Sequence, residues 1–365
     1  MLLYEIALTM LPGIGDVSGK KLVAYCGGTR EVFKFNRKEL LQLKVLGTTV
    51  VDHLLSGRDE ALRKAEVEIR FIEKYHIAPL FFLDKQYPFR LGNCADAPVM
   101  LYYKGSADLN AARIVGIVGT RNATEYGRDM CQKIVEGLAD MGVLVISGLA
   151  SGIDSCAHKS SLQCGIPTVG VLGHGLDRIY PAQNKALAGK MIENGGLITE
   201  FPSNTKPDRE NFPQRNRIIA GMCDALIVVE AASSGGALIT AEIANSYNRD
   251  VFAVPGRLTD EYSKGCNAYI KTNRAALIDS AQDLKYIMGW DSKAQQNQSI
   301  QRELFQELNE DEKSLLTLFH PGENIGIDLL ISDSGFKSSQ VAKILLSLEF
   351  KGMIKCLPGK RYQSN

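Results

Sequence analysis

Five short β-branched runs, at residues 114–118, 143–147, 168–172, 225–229 and 251–254, alternate with helix-length amphipathic segments, and each ends in a Gly- or Ser-rich turn. Such alternation predicts an α/β protein, because parallel strands joined by crossover helices are covered on both faces and read as nearly continuous apolar runs. The fold class is an extended Rossmann-like parallel sheet, with an N-terminal helical domain before it and a C-terminal winged-helix domain after it. A chain of 365 residues has room for these parts, at roughly 150 residues per domain.

The elements follow in order. Residues 1–75 place Leu40, Leu41 and Leu43, then Ala61, Ala65, Glu68, Ile69 and Ile72, at helical spacing and predict the helical domain. Residues 76–290 form the sheet domain, opened by a connector at 78–105 in which Tyr87-Pro88 and Ala97-Pro98 break short apolar runs, enough for a strand or two. The polar stretch 291–301, with Gln295, Gln296, Asn297, Gln298 and Ser299 in succession, predicts a linker. Residues 302–365 show a helix, a polar turn, the segments 327–331 and 338–350, and a hairpin around Pro358-Gly359, the order of a winged helix-turn-helix.

Composition excludes several classes. With 42 Lys plus Arg against 41 Asp plus Glu, a net charge of +1 and 45% hydrophobic residues, the chain is neither disordered nor a polybasic, histone-like protein. No basic segment precedes an apolar run at the N-terminus, and the apolar stretches are short and broken by Gly, which predicts a cytoplasmic protein with no membrane span. The eight Cys, at 26, 94, 131, 156, 164, 223, 266 and 356, form no CxxC pair and sit in apolar segments, as buried reduced thiols do. His158 and His174 lack a paired Cys or carboxylate at ligand spacing, so no metal is predicted. No GxGxxG follows the first strand, and the second ends in Ser147 where a ribose-binding acid belongs; no GxxxxGK[ST] occurs either. Neither NAD nor a Walker-type nucleotide site is indicated, and no cofactor is predicted.

The chemistry lies in the turns after the strands: Gly119-Thr120-Arg121-Asn122, Gly148-Leu149-Ala150-Ser151-Gly152, Gly173-His174-Gly175, Ser233-Ser234-Gly235-Gly236 and Pro255-Gly256. In an open α/β sheet these lie on one edge, where unpaired N–H groups and helix dipoles favour an anion, most simply a phosphate. Asp154 and Asp177 within these turns read as loop or cap residues rather than acid–base groups. The segment 200–222, EFPSNTKPDRENFPQRNRIIAGM, mixes signals. Pro202, Pro207 and Pro213 predict an irregular first half, with Arg215, Asn216 and Arg217 at the start of a helix over 218–222. Lys206, Arg209, Arg215 and Arg217 around Phe212 interleave cations with an aromatic face, as proteins that grip single strands do. The structural alternatives are a core role for Phe212 and an ion pair of Arg215 or Arg217 with Glu200 or Glu230.

These residues resemble a known family. GTRNATEYG at 119–127, SGLASGIDSCAH at 147–158, GHGLDRIYPAQN at 173–184, FPQRNRIIAG at 212–221, SSGGALITAEIA at 233–244 and the later PGRLTDEYSKGCNAYIK are similar to the motifs of the DNA-processing protein A (DprA/Smf) family, in family order. The resemblance implies a non-enzymatic, single-stranded DNA-binding protein that protects incoming DNA in natural transformation and helps load the RecA recombinase, acting as a homodimer or larger assembly. It implies DNA contacts for Arg121, Arg209 and Phe212. The basic residue common after the Tyr-Pro of the third turn is replaced by Ala182, with Lys185 three residues on. The full candidate set is Gly119, Thr120, Arg121, Ser147, Gly148, Lys185, Arg209, Phe212, Arg215, Asn216, Arg217, Gly235, Gly236, Lys264, Asn267 and Lys271. The competing reading is a phosphoribohydrolase-type enzyme with Glu242 as acid, since SSGGALITAEIA faintly resembles the PGGxGTxxE turn; Ser234 stands where that turn needs Pro.

Both end domains have two readings. Leu11-Pro12-Gly13-Ile14-Gly15 looks like a helix-hairpin-helix (SAM-like) turn, with Lys20 and Lys21 nearby, and serves either a DNA phosphate or packing. Between 334 and 365 six residues are basic and one is acidic. Lys337 and Lys343 on a recognition helix, with Lys355, Lys360 and Arg361 on a wing, suit duplex DNA, though winged helices also dock onto proteins.

Overall fold

Helices α1 (Leu2–Thr9), α2 (Asp16–Cys26), α3 (Thr29–Val32), α4 (Arg37–Gln42) and α5 (Thr48–Tyr75) open the chain. Helix α5 buries Val51, Leu54, Ala61, Ala65 and Ile72, a stripe at three- and four-residue spacing that faces Ile6, Leu8, Leu22 and Leu40. The same apolar cluster takes in Phe81, Met100 and Tyr102 of the first two strands, β1 (Ala78–Phe81) and β2 (Met100–Gly105). The helical segment thus shares its core with one end of the sheet. Polar ties add to this: Asp16 Oδ1 accepts from Val99 N at 2.8 Å, and the buried Glu68 accepts from Ser203 N and Oγ.

Short α6 (Phe89–Gly92) leads to the alternating part: β3 (Arg113–Val118), α7 (Glu125–Gly137), β4 (Val143–Ser147), α8 (Ile153–Gln163), β5 (Thr168–Val171), α9 (Lys185–Glu193), β6 (Gly195–Thr199), α10 (Asn211–Met222), β7 (Ala225–Val228), α11 (Gly236–Ser246), β8 (Asp250–Ala253), α12 (Lys264–Lys271), β9 (Ala276–Leu277) and α13 (Ala281–Ile287). The sheet runs β1-β2-β6-β5-β4-β3-β7-β8-β9, parallel from β6 to β9, with β1 and β2 antiparallel at one edge. Strand β3 shows why it is buried on both sides: Ile114 and Val118 enter the layer beneath α10 and α11, Val115 and Ile117 the layer beneath α7, α8 and α13. β6 was not among the predicted strands; it begins Gly195-Gly196, a pair that reads as a turn.

The structure, a computed structural model, describes residues 1–290, 308–319, 325–351, 353–357 and 361–364. The predicted linker at 291–301, the Pro358-Gly359 turn and Lys360 lie outside the described residues. The chain forms two compact units, Met1–Trp290 and Asp291–Asn365. In the second, α14 (Glu310–Leu316), β10 (Ile325–Gly326), α15 (Ile327–Ser334), α16 (Ser338–Phe350), β11 (Ile354–Leu357) and β12 (Arg361–Ser364) pack around Leu315, Leu330, Val341, Leu345, Leu348 and Ile354. The strands pair antiparallel as β10-β12-β11, the winged-helix arrangement.

One buried carboxylate ties that unit together. Glu312 accepts from Lys351 Nζ and Ser347 Oγ, each at 2.6 Å, which holds its pKa down at about 2. A carboxylate with a depressed folded-state pKa stabilises the fold above its ordinary value, and the contribution is lost as pH falls toward the folded value. Hydrogen-exchange protection of the α16 amides is expected to be lower in Glu312→Gln than in the wild type at pH 7. Between about pH 4.5 and 2 the wild type should fall to the variant's level; equal protection at pH 7 would show the pair to be idle.

Candidate nucleic-acid interface

Strand β3 lies between β4 and β7, so the chain winds to one side through β4, β5 and β6 and to the other through β7, β8 and β9. The turns after β3 and β7 therefore diverge and leave a crevice at the carboxyl edge of the sheet, the usual ligand position in open α/β folds. A cleft of about 770 Å³ opens there, lined by Gly119, Thr120 and Arg121 on one side, Ser234, Gly235 and Gly236 on another, and Tyr180, Arg209, Phe212, Arg215 and Asn216 between.

Backbone and carboxylate contacts fix the first turn. Thr120 N donates to the Glu230 carbonyl at 2.8 Å, and Ile153 N donates to the Thr120 carbonyl at 3.2 Å, so the turns after β3, β4 and β7 interlock. The buried Glu230 carboxylate accepts from Thr124 N at 3.0 Å and Thr124 Oγ1 at 2.5 Å. Thr124 in turn caps α7, accepting from Gly127 N. A negative charge at a helix N-terminus is favourable. Among the described residues Arg121 and Arg209 have no hydrogen-bond or ion-pair partner, and both are exposed. The Arg121 guanidinium lies 5.4 Å from the centre of the Phe212 ring. Gly235 stands at φ +150 just before α11 with nothing within 4 Å of where a Cβ would be, so the helix N-terminus is open to an anion.

Helix α10 starts seven residues earlier than predicted, at Asn211. Pro213 falls in its first turn, where the missing N–H would have had no intrahelical partner. Phe212, Arg215, Asn216 and Ile219 are therefore three and four residues apart on one helix face, and all four line the cleft. Arg215 is buried, its Nη1 donating to the carbonyls of Gly148 and Val171 at the ends of β4 and β5. Burial pushes its pKa down to about 10, opposed by the nearby Asp154, so it stays charged at neutral pH. Asp154 is itself pushed up by burial and held back by Arg215. Asn216 Nδ2 donates to the Gly236 carbonyl at 3.3 Å, tying α10 to α11.

Arg217 sits two residues on, about 200° around the helix at 3.6 residues per turn, and faces away. It donates to Glu200, to Asp16 at 3.0 Å and to the Asp96 carbonyl. This corrects its place among the candidate contacts: the ion pair with Glu200 claims it. Ser147 and Gly148 are also corrected. Ser147 is fully buried, its hydroxyl donating to the Ile117 carbonyl at 2.6 Å. Gly148 lies under Arg215, where a Cβ would meet Nη1 at 2.2 Å. Lys185 is exposed at the start of α9 and is not part of the cleft lining. Lys264, Asn267 and Lys271 line a separate groove of about 450 Å³ with Leu258, Ile270 and Leu277. There Asn267 exchanges two hydrogen bonds with the Gly256 backbone.

The two turn histidines, His158 and His174, are internal. His158 Nδ1 lies 2.7 Å from Thr168 Oγ1, and burial drives its pKa down to about 3; His174 Nδ1 bonds the Gly175 carbonyl at 2.9 Å. Among the described residues no group of three or more His, Cys, Asp or Glu is placed to hold a metal. Glu242, the acid of the enzymatic reading, is on the outer side of α11, exposed and paired with Arg274 and Tyr269, and does not line the cleft. Tyr180 does, and sequence reasoning passed over it; its signal was an aromatic beside Pro181 in a turn already marked as functional.

A doubly wound parallel sheet with a crevice at its switch point, followed in the same chain by a winged helix, defines a Rossmann-like α/β protein of two units. Residues 78–288 match the family described as DNA recombination-mediator protein A, and residues 303–360 match the DprA winged helix domain. The chain belongs to this family, the DprA/Smf proteins. Protein Smf of Synechocystis sp. is 31% identical over 396 residues, 99% of this chain and 98% of its own length. DNA processing protein DprA of Streptococcus pneumoniae is 38% identical over 272 residues, 70% of this chain and 96% of its own. The X-ray structure of Streptococcus pneumoniae DprA matches with a TM-score of 0.68 at 34% identity, over 78% of this chain and 97% of that one. A structure of DNA processing protein A from Helicobacter pylori, described for its single-stranded DNA binding mode, matches with a TM-score of 0.53 at 26% identity, over 58% of this chain and 95% of that one.

The Arg217 triad makes its own prediction. Removing the guanidinium leaves Glu200 and Asp16 partly buried and unpaired, so Arg217→Ala should destabilise the first unit by about 3 kcal/mol, read as an earlier unfolding transition of the full chain in urea. A midpoint equal to the wild type's would mean that the triad is not holding the helical layer.

Proposed function

We propose that this protein is a single-stranded DNA-binding mediator that holds the strand along the carboxyl edge of its sheet, with no catalytic turnover. The observation that carries this reading is the pair of exposed arginines, Arg121 and Arg209, left without anionic partners beside Phe212 and the open N-terminus of α11. Cations for phosphates, amides for a close backbone approach and an aromatic ring for a base are the elements of sequence-tolerant single-strand binding. The Helicobacter pylori relative, described for that binding mode, agrees with it.

Family membership supports the rest of the reading: protection of incoming DNA in natural transformation and assistance to RecA loading for homologous recombination, in the cytoplasm. No helix among the described residues is long and apolar enough to cross a membrane. A homodimer is the assembly we favour, and the exposed Leu258 and Leu277 beside the short edge strand β9 supply apolar surface for one. The winged helix, with Lys337, Lys343 and Lys355 exposed, is a second contact for duplex DNA. Within the first unit the contacts we retain are Gly119, Thr120, Arg121, Arg209, Phe212, Arg215, Asn216, Gly235 and Gly236, with Lys185 on an outer path.

Titration of labelled single-stranded and duplex oligonucleotides against the full chain tests this. With about four phosphates neutralised, log affinity for the single strand should fall with log salt at a slope near −3, and Arg121→Ala and Arg209→Ala should each flatten it by about 0.7. A salt-independent affinity would falsify the reading. Phe212→Ala should cost about 1 to 3 kcal/mol of binding at unchanged slope. Reversing Lys337, Lys343 and Lys355 to Glu should weaken duplex binding while sparing the single strand; equal loss on both would place the single strand on the wing as well.

A further inference from the structure

Tyr180 is the one large aromatic on the cleft wall that the expected contacts leave out. It is 47% exposed, and its hydroxyl has no partner among the described residues. Buried tyrosines normally engage their hydroxyl, and an aromatic left open at a cleft is poorly explained as core. Its backbone is nonetheless held: Tyr180 N donates to His174 Nε2 at 3.3 Å, and His174, 1% exposed, is oriented by the bond from Nδ1 to the Gly175 carbonyl. The main chain beneath the ring is thus anchored by a buried neighbour while the ring itself stays about half exposed.

Phe212 is more crowded. The Arg121 guanidinium lies 5.4 Å and the Arg215 guanidinium 6.0 Å from its ring centre, and its edge packs on Gly173, where a Cβ would come within 3.1 Å. The Tyr180 ring centre is 6.0 Å from that of Phe212 with the planes 39° apart. Of the two rings, Tyr180 has the freer surface. Arg121 and Arg209 are then within the same cleft to take the flanking phosphates.

We infer that Tyr180 is the outer stacking platform for an unpaired base, with Phe212 as the ring that backs it. The inference rests on the single-strand reading above and specifies which side chain receives the base. It also gives that site a preference for unpaired strands, because bases within a duplex have both faces covered by their neighbours.

The test is fluorescence anisotropy of labelled oligo-dT with the full chain, at one fixed salt and then across a salt series. Tyr180→Ala should weaken binding roughly five- to hundredfold with an unchanged salt slope and an unchanged melting temperature, while Tyr180→Phe stays within about twofold of the wild type. The chain has a single Trp, so Tyr180→Trp adds a reporter whose emission oligo-dT should quench well beyond the wild-type change; this decides the matter if the Ala variant fails to fold. Wild-type affinity in Tyr180→Ala alongside a weakened Phe212→Ala would overturn this inference and leave the single-strand reading standing. Equal loss in Tyr180→Phe would assign the effect to the hydroxyl and also overturn it. No binding of oligo-dT by the wild type would sink both.

Discussion

The cleft depends on one buried cation. Arg215 places its guanidinium over the carbonyl ends of β4 and β5, where the strands have run out of sheet partners, and donates to Gly148 and Val171. Burying a charge is expensive unless hydrogen bonds and an opposite charge surround it. Here the strand-end carbonyls and Asp154 provide both, and α10 is held at one rotation about its axis. Everything else on that helix follows from the rotation: Phe212, Asn216 and Ile219 face the crevice because Arg215 does, and Arg217 must face the helical layer. The cation also lines the cleft, so the residue that fixes the geometry raises the local potential there too.

A second constraint acts at the switch point. The turns after β3 and β7 are forced apart by topology, yet the backbone bonds from Thr120 to Glu230 and from Ile153 to Thr120 make them one rigid rim. The lining of the cleft includes Gly119, Gly235 and Gly236, the exposed Arg121 and Arg209, and the rings of Tyr180 and Phe212. Glu242, on α11, is not part of the cleft lining and pairs with Arg274.

Much of this was legible in the sequence, and the failures have physical causes. Strands β3, β4, β5, β7 and β8 announced themselves because burial on both faces demands apolar runs. β6 did not, because its first residue must be Gly: a Cβ on Gly195 would lie 1.9 Å from the Thr168 carbonyl, and a Gly-Gly pair reads as a turn. Turn chemistry and family resemblance single out Arg121, Arg209, Phe212, Gly235 and Gly236, and the structure brings these five to one cleft. Ser147 and Gly148 stand among the candidate contacts because a motif does not say which of its residues support the others; the structure buries both. The separation of Arg215 from Arg217 was hidden by Pro213, taken as a break when it opens the helix; with the start at Asn211, the 200° between them follows from helix geometry alone.

The near-zero net charge is reconciled by the same logic. Many cations of the first unit serve internal carbonyls and carboxylates: Arg58 bonds Val32 and Phe35, Arg90 bonds Asp224, Ala111 and Ala112, and Arg249 bonds Arg90 and Gly221. Their charge is committed to the fold and counts little toward a ligand. Among the described residues Arg121 and Arg209 have no hydrogen-bond or ion-pair partner, and Arg121 lies only over the Phe212 ring. Because salt at physiological strength screens exposed charges beyond about 8 Å, an anion in the cleft would respond to those two and to the buried Arg215, and hardly to acidic residues on distant faces. Total charge is therefore the wrong variable for such a protein, and the number of cations without partners at the crevice is the right one.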